Sequence, residues 1–159
     1  MTAATRSKSF AEREFAITRV FDAPRERVFK AWTDPKRLAE WWGPKGFTNP
    51  VCGVEAWTGG ALHIVMRAPD GTDYPMQGVF QKVAPPSLLV FTNIAVDKGG
   101  NHLLEGLTTV VFEDMGGKTK LTLHTRAIAL VDYAAAYLAG MDAGWTQSID
   151  KLQALMAAR

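Results

Sequence analysis

The sequence predicts an α+β fold, a curved antiparallel seven-stranded sheet wrapped around a long C-terminal helix, with two short helices after the first strand. Three observations carry this. At the C-terminal end, Leu138, Met141, Trp145, Ile149, Leu152 and Met156 step by three or four residues, which places them on one helical face. Between 48 and 127, short alternating runs are separated by turn residues, the pattern of an antiparallel meander. In the last of its hairpins, Val110 and Phe112 alternate with Thr109 and Glu113, and Leu121 and Leu123 with Lys120, Thr122 and His124. One face is apolar and the other polar, so the helix is expected to cover the apolar face. A strongly twisted sheet gripping one helix closes at its edges and leaves a cavity in the middle.

The elements follow in order. Residues 1–12 read as a flexible polar tail, ahead of one domain at 13–159. Phe15 and Ile17 alternate with Ala16 and Thr18, which predicts a first strand over 14–21. Asp22-Ala23-Pro24 starts a helix, because proline at the first helical position lacks an N–H that would have no partner there. Val28, Phe29 and Trp32 fall on one side of that helix and Arg25, Glu26 and Lys30 on the other. Asp34-Pro35 repeats the signal with a capping carboxylate. The second helix turns Leu38, Trp41 and Trp42 inward and stops at Gly43-Pro44.

Six strands are expected next, at 51–57, 62–67, 74–83, 88–93, 107–113 and 118–127. Gly59-Gly60, Pro69-Asp70-Gly71, Pro85-Pro86 and Asp114-Met115-Gly116-Gly117 mark turns between them. The stretch 94–106 contains Gly99-Gly100 and is expected to be a long, mobile loop. Within 74–83 the parity is open: Met76-Gly78-Phe80 and Val79-Val83 both fit as the inward row. The final segment, 131–158, is expected as one helix of about 40 Å. Beside its apolar face runs a ridge of small residues, Ala136, Gly140, Gly144 and Ser148. A glycine inside a helix costs about 1 kcal/mol relative to alanine, so two of them need a reason. Either the helix packs tightly on a strand, or the ridge leaves room for a molecule beside Trp145.

Composition excludes several classes. Lys and Arg number 18 against 16 Asp and Glu, and the charges are scattered, which argues against nucleic acid or an acidic membrane as partner. Cys52 is the only cysteine, so neither an intrachain disulfide nor a cysteine zinc cluster is available, and with no base beside it the thiol is expected to be inert. Residues 1–10 lack the apolar segment of a signal peptide and no run is long enough to span a membrane, so a cytoplasmic location is expected. No nucleophile-elbow, phosphate-loop or zinc-protease spacing occurs, and no cofactor is implied. His124 alternates with Lys120 and Arg126 on the polar face, and His63 shares its face with Ala61, Val65 and Arg67. His102 and Glu105 stand three apart without a third ligand, so no metal site is expected.

Phe21-Asp22-Ala23-Pro24, then Val28-Phe29-Lys30-Ala31-Trp32-Thr33-Asp34-Pro35, Leu38 and Trp41-Trp42-Gly43-Pro44, resembles the opening of the SRPBCC superfamily, which includes START-like and birch-pollen-allergen-like proteins. Within it, the sequence is most similar to the branch of the C-terminal domain of the heat-shock-protein ATPase activator. Gly59-Gly60, Pro69-Asp70-Gly71, Gly78 and the run from Gly144 through Trp145 to Leu152 continue the match in order, so that it covers about residues 13–156. The resemblance implies a helix-grip fold with a deep apolar cavity between sheet and helix, and the short helices at one mouth. Related folds bind lipids, hormones or polyketides, catalyse cyclisations, or bind chaperones.

On that basis Trp41, Trp42, Phe47 and Trp57 are candidates for an amphipathic gate at the mouth. Met66, Met76, Phe80, Phe91, Phe112, Met141 and Trp145 are candidates for the lining, with His63 as a polar member of the ligand-binding set. The expected function is binding of a hydrophobic small molecule, lipid-, polyketide- or aromatic-like. The alternatives are a cyclase- or hydratase-like enzyme using His63, Tyr74 or Glu105, and a module that docks a chaperone or a second copy of itself as a homodimer. The full activator carries a separate N-terminal domain that engages the chaperone. A chain of this length is not expected to hold one, which places the small molecule ahead of a chaperone as partner.

Overall fold

A computed structural model of the protein describes residues 11–158. Seven strands form one antiparallel sheet: β1 (Ala11–Phe21), β2 (Thr48–Val54), β3 (Ala61–Arg67), β4 (Asp73–Ala84), β5 (Leu88–Val96), β6 (His102–Asp114) and β7 (Thr119–Ala129). Their order across the sheet is β1-β7-β6-β5-β4-β3-β2, so among the described residues only the β1–β7 pair joins strands distant in sequence. Two short helices, α1 (Arg25–Thr33) and α2 (Pro35–Trp41), connect β1 to β2. A 3-10 turn at Asp132–Ala134 leads into α3 (Ala135–Ala139) and α4 (Met141–Ala158), which cross the concave face. This is the helix-grip α+β arrangement expected from the sequence.

The sequence signals act locally as their chemistry demands. The Asp34 carboxylate accepts from the Lys36 backbone N–H at 3.1 Å, which satisfies one orphan donor at the start of α2. Pro24 sits one position earlier than expected, as the N-cap of α1. The open parity of β4 resolves in favour of Met76 and Phe80, which are buried, while Val79 is exposed on the outer face. Gly78 belongs to the inward row for a steric reason: a Cβ there would stand 1.8 Å from the Thr92 carbonyl oxygen of β5.

Three expectations require correction. β1 begins at Ala11, paired with Ala129, so residues 11–12 belong to the sheet; the remainder of the expected tail lies outside the described residues. The stretch 94–106 is not a long loop. β5 runs to Val96 and β6 starts at His102, leaving a tight turn in which the Asp97 carboxylate accepts from the backbone N–H groups of Gly99 and Asn101, both at 2.9 Å. The C-terminal helix is broken. Gly140 caps α3 at φ −93° and ψ 0°, outside helical geometry, and the chain restarts at Met141.

The main core lies between the sheet, α1, α2 and the C-terminal half of α4. Phe21, Trp32, Trp41, Phe80, Phe91, Phe112 and Ile149 are buried there. α4 is fastened along β1 by polar contacts. Arg13 grips Asp142 with two bonds of 2.9 and 2.8 Å, and Arg19 reaches Asp150 at 2.9 Å and Gln153 at 2.8 Å. Arg27 of α1 donates to the carbonyls of Met156 and Leu155, closing the last turn of α4. Exposed ion pairs add little stability, so their effect is to fix where α4 lies.

Candidate functional site

With its C-terminal half held on the core, α4 leaves its N-terminal half and α3 raised over the other end of the sheet. A cavity of about 660 Å³ lies beneath them. Its floor is the inward row of β4 to β6, with Met76, Asn93, Ala95 and Leu104, and its roof is the helical segment from Ala136 to Ser148. The loop between α2 and β2 forms one wall through Trp42, Gly43, Pro44 and Phe47. That loop is tied to α4: Lys151 donates to the Pro44 carbonyl at 3.2 Å, and the Lys45 backbone N–H to Gln147 at 2.9 Å. Burial lowers the pKa of the Lys151 ammonium. Gly43 adopts φ +94°, and a Cβ there would lie 2.9 Å from the Met66 sulfur. Glycine therefore lets the loop turn and leaves room for Met66 in the wall.

Aromatic rings define the two depths of the cavity. At the inner end Trp145 lies between Trp32, nearly parallel at 6.3 Å, and Trp42, edge-on at 5.3 Å. At the rim, Tyr74 contacts Phe47 at 6.1 Å and Tyr137 at 6.3 Å. Tyr133, largely exposed, completes the rim. All four members of the small ridge, Ala136, Gly140, Gly144 and Ser148, border the cavity.

Six of the residues expected at the site are on this lining: Trp42, Phe47, Met66, Met76, Met141 and Trp145. The others are elsewhere. Trp41, Phe80, Phe91 and Phe112 are sealed in the core, at 2% exposure or less. Trp57 is 61% exposed, on the connection between β2 and β3. His63 is exposed on β3, between buried Leu62 and Ile64, and so faces away from the cavity. Sequence reasoning overlooked Asn93, Leu103, Leu104, Ala127, Tyr133 and Tyr137 as lining. For Asn93 a signal was available, since Leu89, Phe91 and Asn93 alternate along one strand.

The ionisable groups offer little acid–base chemistry. Asp73 is held below the usual carboxylate range, chiefly by its hydrogen bond from Arg67. Asp97 is lowered as well, first by the Asn101 side chain and then by the Asn101 backbone N–H. Both rim carboxylates are thus committed as acceptors. Glu105 is paired with His102 at 2.8 Å, and His124 with Glu14, both pairs being solvent-exposed. Of the three residues considered for catalysis, only Tyr74 borders the cavity. Among the described residues no group of three or more His, Cys, Asp or Glu is placed to hold a metal, and no helix is long and apolar enough to cross a membrane.

Cys52 lies against the core from β2, and desolvation pushes its thiol up to about 11. Since the thiolate is the reactive form, alkylation of native protein at pH 8 is expected to run on the order of a hundredfold slower than in urea. Comparable rates in the two states would show an accessible, ionised thiol instead.

Comparison with known proteins agrees with this architecture. The sequence profile of Activator of Hsp90 ATPase homolog 1-like protein matches residues 22–157. No curated protein matches the sequence significantly. Among solved structures, a protein from Arthrobacter aurescens is similar, with TM-score 0.78, 27% identity, and coverage of 92% of this chain and 87% of that one. A protein from Chromobacterium violaceum gives TM-score 0.75 at 28% identity, covering 90% of this chain and 96% of its own. The AHSA1 protein from Silicibacter pomeroyi gives 0.74 at 26%, covering 92% and 99%. With its strand order, its gripped helix and a profile match from the end of β1 through α4, the chain belongs to the Activator of Hsp90 ATPase homolog 1-like family of the SRPBCC superfamily.

Proposed function

We propose that the protein binds a hydrophobic small molecule in the cavity between the sheet and the α3–α4 segment. The observation that carries this is what the glycine ridge adjoins. If close packing required the glycines, an added Cβ would collide with a strand. At Gly144 it would instead meet only Pro44 Cγ at 3.7 Å, and at Gly140 only the Tyr137 carbonyl at 3.8 Å, both ordinary contacts. The ridge borders open space. The volume of about 660 Å³ lies within the range of roughly 300–1,000 Å³ typical of small-molecule sites. The wall is methionine, aromatic and small aliphatic, a surface that adapts to different apolar shapes. Membership of a superfamily whose members commonly bind hydrophobic ligands adds support.

A catalytic use of the cavity has only Tyr74 to draw on among the residues considered, and a docking role has less. On the sheet, the exposed apolar residues Val51, Val79 and Leu107 lie on β2, β4 and β6, no two of which are neighbouring strands, and the exposed Tyr133 and Tyr137 belong to the cavity rim. Native mass spectrometry on freshly purified protein, followed by denaturation to identify what is released, tests the proposal. A lipophilic adduct at one copy per chain is the expected result. A clean apo mass, with no thermal shift from a broad lipophilic library, would overturn it.

A further inference from the structure

The cavity floor carries one polar feature that packing alone does not explain. Asn93, Thr108 and Thr125 point inward from β5, β6 and β7, amid the apolar rows of Leu89 and Phe91, Val110 and Phe112, and Leu121 and Leu123. Both threonines are completely buried. Thr108 Oγ1 lies 2.8 Å from Asn93 Oδ1 and 2.8 Å from Thr125 Oγ1. The direction of this chain follows from its chemistry. An amide oxygen cannot donate, so the single Thr108 proton goes to Asn93, and Thr125 must donate to Thr108. The Thr108 hydroxyl, itself held by Thr125, therefore occupies Oδ1 and turns the other half of the amide outward. Asn93 Nδ2 has no hydrogen-bond partner among the described residues, and Asn93 lines the cavity. Across the β5–β6 pair, Asn93 stands opposite Gly106, where a Cβ would come within 2.8 Å of Nδ2 and 3.2 Å of Oδ1. Glycine leaves the amide the space to hold this orientation.

We propose that the cavity selects an uncharged apolar molecule bearing a carbonyl-type acceptor, which Asn93 recognises through its Nδ2–H donors. The inference rests on the cavity being a ligand site. The charge follows from the surroundings of the amide. Among the described residues no arginine or histidine lines the cavity, and the one lysine that does, Lys98, belongs to the turn at the rim beside Asp97. A carboxylate drawn down to Asn93 would lose its hydration without gaining a cation, whereas a neutral carbonyl needs only the donor that Asn93 offers. Thr108 and Thr125 are positioning residues, setting which end of the amide meets the ligand.

Three probes of nearly one shape test this on the full chain by calorimetry: 2-acetylnaphthalene, 2-ethylnaphthalene and 2-naphthoate. The ketone is expected to bind about three- to tenfold more tightly than the hydrocarbon, the worth of one net hydrogen bond, with naphthoate weakest. The infrared carbonyl stretch of bound ketone should fall to lower frequency than in an apolar solvent. In Asn93→Leu the ketone advantage over the hydrocarbon and the frequency shift should both vanish. Asn93→Asp keeps the size but presents an acceptor, and should reverse the preference even if the leucine variant does not fold. Equal binding of ketone and hydrocarbon by the wild type, or a preference for naphthoate, would overturn the acceptor assignment and leave the cavity reading standing. Failure of all three probes to bind, together with a clean apo mass, would remove the cavity reading itself.

Discussion

Trp41→Ala is expected to destabilise the protein by about 4 kcal/mol, in the range for deleting a large aromatic side chain from a core. The ring is completely buried, stands edge-on to Trp32 at 4.6 Å, and lies 5.8 Å from Trp42. Its indole N–H donates to the Ala31 carbonyl at 3.0 Å. Truncation would open a void between α1 and α2 and remove that donor from a buried acceptor, two costs that add. Domains of this kind are stable by about 5–15 kcal/mol, so such a loss brings the native state near its limit. For a chain of this length the melting temperature should fall by about 10 °C, with a matching drop in the urea midpoint. Trp41→Phe should restore most of the packing but not the hydrogen bond. Its affinity for an apolar probe should match the wild type, because Trp41 does not border the cavity. A Trp41→Phe variant that kept its stability but lost the probe would return Trp41 to the gate.

That contrast shows what the sequence could convey. Trp41 and Trp42 are neighbours at the end of one short helix, with the same chemistry and the same apolar setting. One is sealed against α1, while the other reaches the cavity beside Trp145. Which ring meets the void depends on where α4 lies, and that is settled by contacts such as Arg13 with Asp142 and Lys151 with Pro44, more than a hundred residues apart in the chain. Strand parity was informative across the sheet and silent along it. Met76 and Phe80 share an inward row, yet only Met76 is at the open end; Phe80 is under the aromatic core. The same applies to Phe91 and Asn93 on β5.

Local signals were legible wherever the chemistry was local. The Asp34 cap, the Asp114–Gly117 turn and the one-faced last hairpin all lie where alternation and turn residues placed them. Two local signals misled. Gly99-Gly100 reads as a loose loop, but Gly100 at φ +83° and the Asp97 carboxylate compress it into a tight turn, and both strands extend to meet it. At Gly140 the reverse holds. Leu138 and Met141 keep the three-residue step across the break, so apolar periodicity passes through a position where the backbone leaves the helix. Periodicity reports which face is buried, and a kink that preserves the face leaves it unchanged.

The break at Gly140 gives the ridge its meaning, and Gly144 is the place to test it. The residue lies in the second turn of α4, on the cavity wall, where a Cβ finds only Pro44 Cγ at 3.7 Å. Gly144→Ala should therefore raise stability by about 1 kcal/mol through helix propensity, with probe affinity within about threefold of wild type. Gly144→Leu should gain a similar amount from propensity, since leucine ranks close to alanine, but it carries three further carbons toward the space that a ligand needs. Overfilling a packed site costs about 1–3 kcal/mol, so affinity for 2-acetylnaphthalene should fall about tenfold or more. Thermal melts and calorimetry on the two variants separate the explanations by sign. If glycine at 144 serves helix packing, both substitutions lower the melting temperature and the alanine variant already suffers. If it serves a ligand, stability rises in both while binding survives in one and collapses in the other. A helix that gives up about 1 kcal/mol at its second turn to keep a cavity open is trading stability for access, a trade expected only where something enters.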